Sequence, residues 1–137
     1  MKRILSIILI TMLSVLVFAG CGSSSSQTLE DYANNDADFK AQLEQAVATP
    51  GIDMEIKGNS VVCTYTMDIA LDDETLKTYQ KSLDESVSES LGKQMPDYAK
   101  SIEKETGIKG VTVEVKYVDN KGNVMFDKVY DSKGETE

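Results

Sequence analysis

The chain has 137 residues, 23 acidic against 14 basic, with no histidine, no tryptophan and two cysteines. The length suits one modest domain. The missing histidine removes Ser-His-Asp and Cys-His catalysis and the usual zinc sites, and the acidity disfavours binding to nucleic acid.

The N-terminus reads as an export signal. Lys2 and Arg3 form a basic start, Ile4 to Phe18 is almost wholly apolar, and Ala19 and Gly20 are small. An apolar run of about 15 residues is shorter than the roughly 20 that a bilayer-spanning helix needs. The seam "VFAGCGSSSS" then raises the question of Cys21: half of a disulfide, a free thiol or a lipid anchor. Phe18-Ala19-Gly20-Cys21 resembles the lipobox of bacterial lipoproteins, with Phe18 standing where Leu is usual. The resemblance implies a diacylglyceryl group on the Cys21 sulfur, cleavage between Gly20 and Cys21, and palmitate-bearing Cys21 as the mature N-terminus. Two alternatives stand beside it. Val17-Phe18-Ala19 would also serve an ordinary signal peptidase, giving a secreted protein, and Cys21 would be able to pair with Cys63 in an oxidising compartment. Beyond Gly20 the chain holds 12 basic against 23 acidic residues, a net charge of −11, which suits a basic protein partner. Gly22 and Ser23–Ser26 make a flexible leash.

Thr28 caps a first helical turn, and a cap at Asn35 or Asp36 opens a helix carrying Phe39, Leu43, Ala46 and Val47, ended by Pro50-Gly51. A hairpin follows. Turning at Gly58-Asn59 puts Lys57 opposite Ser60, Ile56 opposite Val61, Met54 opposite Cys63 and Ile52 opposite Tyr65, all apolar members on one face. Cys63 is therefore expected as a buried core thiol. Asp72 or Asp73 caps the longest element, in which Leu76, Tyr79, Leu83, Val87, Leu91, Met95, Tyr98 and Ile102 recur at helical spacing through Gly92 and Pro96. One kinked helix is the reading, two helices broken near Gly92 the alternative. The acids Asp68, Asp72, Asp73 and Glu74 are better read as helix-start residues than as a cation site. A second hairpin closes the chain: Val111, Val113, Val115 and Tyr117 alternate with polar residues, and Asp119 to Gly122 turn back. A bulge at Gly122 decides whether Phe126 and Tyr130, or Met125 and Val129, face inward.

The expected fold is α+β in two layers: a four-stranded antiparallel sheet of two hairpins covered by one long helix plus a shorter N-terminal helix, order α-β-β-α-β-β. The expected organisation is a lipoprotein signal peptide at 1–20, lipidated Cys21 and a Ser-rich tether to 27, one globular domain at 28–131, and a polar tail at 132–137. No catalytic, cofactor or metal residue stands out, and no cofactor is expected.

The lipobox with its leash, "TLEDYANND", "KGNSVVCTYT" and "ETGIKGVTVEVKYVDNKG" together resemble small lipoproteins of Gram-positive bacteria that carry a single α+β domain of unknown function. That resemblance implies a lipid-anchored protein on the extracytoplasmic face of the cell membrane. The expected role is a non-enzymatic binding or accessory domain of the cell envelope; an inhibitor of an extracellular or cell-wall enzyme is the alternative.

Overall fold

The computed structural model describes residues 27–46 and 50–136. Helix α1 spans Leu29–Asn35, and Thr28 caps it with a full capping box: its hydroxyl accepts from the Asp31 N–H while the Asp31 carboxylate reaches back to the Thr28 N–H. Extended backbone at Asp36 then breaks the helix, and its carboxylate accepts from the N–H groups of Asp38 and Phe39 to open α2, Ala37–Ala46.

Strands β1 (Ile52–Lys57) and β2 (Ser60–Thr66) form the hairpin that the alternation predicts, pair for pair from Lys57 and Ser60 to Ile52 and Tyr65. Gly51 adopts φ +85°, and a Cβ there would sit 3.1 Å from the Thr66 carbonyl oxygen. Only glycine closes that end of the hairpin without strain.

Helix α3 runs unbroken from Asp73 to Thr106, 34 residues with Pro96 inside, so the single-helix reading holds. At about 1.5 Å per residue it is about 51 Å long, roughly twice the length of the strands it covers. Gln80 donates to the Val124 carbonyl and Asp84 pairs with Lys128 at the start, while the far end lies against the α1–α2 turn. There burial, with Asp36 nearby, pushes the Glu105 carboxyl up to about 7. Leu83, Val87, Leu91, Met95, Ala99 and Ile102 are the buried stripe, and each large member contributes roughly 1.5–3 kcal/mol.

Pro96 has no N–H to offer the Gly92 carbonyl one turn earlier. Gly92 is exposed, and a Cβ there would meet nothing within 4 Å. Gly92→Ala should raise stability by about 0.5–1 kcal/mol in urea melts, through reduced freedom of the unfolded chain. A loss instead would mean that the proline turn relies on a bare Cα four residues earlier.

Strands β3 (Thr112–Val118), β4 (Val124–Asp131) and β5 (Gly134–Glu135) complete one sheet in the order β1-β2-β3-β4-β5. The expected four-stranded antiparallel sheet in the order α-β-β-α-β-β is thereby corrected. The described residues form five strands in a mixed sheet and three helices, order α-α-β-β-α-β-β-β, and β2 and β3 run parallel. The cause is the length of α3, which carries the chain back to the end where β2 begins. The Thr112 N–H accordingly meets the Asn59 carbonyl at 3.0 Å. The fifth strand comes from residues read as tail: the Asp131 carboxylate accepts from Lys133 and Gly134 and folds them back along β4.

The inward parity of β4 is settled by a register shift between Tyr117 and Val118. Phe126, Lys128 and Tyr130 share the covered face with Tyr117, Val115 and Val113, and Met125 is the extra residue, also buried. Lys128 spans this apolar strip to reach Asp84 and Glu135, each at 2.9 Å.

Candidate functional site

Three helices cover one face of the sheet unevenly, and the exposed remainder is at β1. Glu30 fixes α1 beside the β1–β2 turn: its N–H donates to the Gly58 carbonyl (2.9 Å) and its carboxylate accepts from the Gly58 N–H (2.7 Å). The Leu29 N–H donates to Asn59, whose side chain donates in turn to the Lys109 carbonyl. With α1 held at this corner, a groove of about 240 Å³ opens between α1–α2 and β1. Ala33, Leu43, Met54 and Ile56 form its apolar wall, and Glu30, Lys40 and Glu55 stand at its margin.

The strand beside the groove is a sheet edge. Register fixes which backbone groups face outward. The Thr66 N–H bonds the Gly51 carbonyl, so odd-numbered residues of β1 direct their backbone groups to β2. Ile52, Met54 and Ile56 direct theirs away from it. At Gly58 the next outward pair is taken by Glu30, which closes the edge at that end. The side chains alternate too: Ile52, Met54 and Ile56 lean toward the helices, while Asp53, Glu55 and Lys57 line the opposite face. Glu55 and Lys57 pair at 2.8 Å in the open, with both side chains about 60% exposed. Such a pair contributes little to stability.

Other sites singled out in the sequence have definite places. Gly20 and Cys21, the cleavage and lipid positions, lie outside the described residues. Cys63 is free and buried beneath α3, and burial pushes its thiol up to about 12, so the nucleophilic thiolate is strongly disfavoured. Val62, Thr64, Thr66, Glu114, Lys116 and Val118 share the sheet face opposite the buried row, where Lys116 pairs with Glu114 (2.8 Å) and Asp127 (3.3 Å).

The acids near the start of α3 are distributed among separate tasks. Asp72 is the N-cap, accepting from the Thr75 N–H at 2.8 Å, and that bond lowers its carboxyl below the usual range. Asp73 and Glu74 occupy the first turn, favourable at the helix's positive end. Asp68 accepts from the Asn120 side chain at 3.5 Å. Among the described residues no group of three or more His, Cys, Asp and Glu is placed to hold a metal ion.

Asp119 is different in kind. It is 1% exposed and accepts four bonds: from the N–H groups of Lys121, Asn123 and Leu71, and from the Asn123 side-chain amide. Burial opposes its charge, yet Asn123, Leu71 and Lys121 together hold the carboxyl at about 2. This carboxylate ties the loop before α3 to the β3–β4 turn, a structural duty that uses up its lone pairs. Tyr130 is fully buried, and its hydroxyl has no hydrogen-bond partner among the described residues.

The groove residues Glu30, Ala33, Lys40 and Leu43 were not marked by the sequence as a set. Periodicity placed Ile52, Met54 and Ile56 on a core face, which is right. Their half-exposure follows from β1 being an edge, a property of strand order that no local pattern carries.

No curated protein and no solved structure matches the chain. A family model does, over residues 29–130, from the first residue of α1 nearly to the end of β4. The chain therefore belongs to the family DUF4854, described as a domain of unknown function.

Proposed function

We propose that this chain is an extracytoplasmic lipoprotein, of the kind found in Gram-positive bacteria, whose single domain binds a partner at the cell envelope and does no chemistry itself. The observation that carries the reading is the seam Phe18-Ala19-Gly20-Cys21 behind Lys2, Arg3 and the apolar run Ile4 to Phe18. Two acyl chains on Cys21 would anchor the protein firmly, since each buried methylene contributes about 0.8 kcal/mol. None of the described helices is long and apolar enough to cross a membrane.

The tether sets a distance. Seven residue steps separate Cys21 from Thr28, a reach of at most about 25 Å. Thr28 begins α1 beside the β1–β2 turn, so on this reading that corner stays within the leash's reach of the lipid while the β2–α3 and β3–β4 loops lie at the opposite end of the sheet. The groove along β1 supports the binding role.

Labelled palmitate supplied to expressing bacteria should enter the wild-type protein and fail to enter Cys21→Ala. Labelling that persists in the variant would sink the lipid reading.

A further inference from the structure

We propose that β1 accepts an extended, basic segment of a partner protein as an additional strand of the sheet. Three observations on the same strand converge. First, the backbone N–H and C=O groups of Ile52, Met54 and Ile56 face outward along an open edge, the template that strand addition uses. Second, a groove of about 240 Å³ with an apolar wall runs beside that edge, on the face to which those same residues turn their side chains. Third, Asp53, Glu55 and Lys57 stand on the opposite face, where Lys57 pairs with Glu55 at 2.8 Å and the acids outnumber the base by one.

The pleat turns these facts into a sequence preference. In a strand added to β1, residues opposite Met54 and Ile56 lean into the groove, and residues opposite Asp53 and Glu55 lie on the other face. The incoming segment should therefore alternate aliphatic residues with polar ones, Lys or Arg standing opposite Asp53 and Glu55. Its length is bounded, because Glu30 already occupies the outward groups of Gly58. A second copy of this chain is the competing occupant. Antiparallel β1–β1 pairing about Met54 would set Asp53 against Glu55, whereas pairing about Ile56 would set Glu55 against Lys57, so self-association is measured alongside peptide binding.

This inference deepens the binding-domain reading and rests on it, but not on the lipid. The test uses the purified full chain in detergent and dye-labelled short peptides, followed by fluorescence anisotropy. A peptide of alternating valine and lysine should bind saturably, and its valine–glutamate twin about tenfold more weakly. The double variant Asp53→Lys, Glu55→Lys should reverse that order; both side chains are exposed, and circular dichroism checks that the fold is kept. N-methylating the peptide amides that would face β1 should weaken binding by roughly tenfold. Equal binding of both peptides, an order unchanged in the double variant, indifference to N-methylation, or self-association through β1 would each overturn the proposal. Palmitate labelling is read separately, so a failure here leaves the anchoring question untouched.

Discussion

Tyr117→Ala should lower stability by about 3–5 kcal/mol, a large share of the 5–15 kcal/mol typical of a domain. Tyr117 is buried in the middle of a cross-strand row formed by Tyr65 on β2, Tyr117 on β3 and Phe126 on β4. Its ring stacks on Tyr65 with centroids 4.8 Å apart and meets Phe126 edge-on at 5.7 Å. Removing it leaves a cavity under α3 and takes the partner from two aromatic rings, each such contact adding roughly 0.5–1.5 kcal/mol beyond area burial. Tyr117→Phe keeps the ring and should cost less than about 1.5 kcal/mol. Urea unfolding followed by circular dichroism measures both. A loss below about 1 kcal/mol for the alanine variant would mean that the row is not what joins β2 to β3.

That row also shows where reading the sequence runs out. The β1–β2 register was legible because everything it needs is local: a period of two, a Gly58-Asn59 turn and Lys57 opposite Ser60. The cap at Thr28 was legible for the same reason. The pairing of β2 with β3 was not. Val113, Val115 and Tyr117 alternate identically whether β3 lies parallel or antiparallel to its neighbour, so side-chain patterning is silent on direction. The length of α3 was the available clue, since a long helix between two strands of one sheet favours a parallel return. β5 was missed because it has no apolar alternation at all. Its signal was the turn chemistry of Asp131 and Gly134.

The groove was partly legible in the same sense. Sequence periodicity assigned Met54, Ile56 and Leu43 to apolar faces, and each lies on one. What it lacked was the order of strands. Val61, Cys63 and Tyr65 of β2 are fully buried because β2 has neighbours on both sides, whereas Ile52, Met54 and Ile56, of similar character, are half-exposed because β1 has one. Function at an edge follows from topology, and the topology was the element that needed coordinates.

Asp119→Ala should lower the melting temperature at neutral pH by roughly 10 °C, more than its place in a surface turn would suggest. The side chain, itself 1% exposed, is the common acceptor for half-buried Leu71 and for Lys121 and Asn123, and the variant takes from all three the bond that joins the two loops. Asp119→Asn should fall between, because an amide keeps one acceptor oxygen but turns a donor toward other donors. The pH dependence separates this role from simple loss of packing. The folded-state carboxyl titrates at about 2 against an ordinary 3.8, so the unfolded chain takes up its proton first. The stabilisation is thus complete above about 3.8 and fades as pH falls toward 2. Melting curves taken from pH 7 down to pH 2 should show wild type and Asp119→Ala converging in that window, since acid removes from the wild type what the mutation has already removed. Curves that stay parallel to pH 2 would mean that the carboxylate's charge has no part in holding the two loops together, and that shape alone explains the loss.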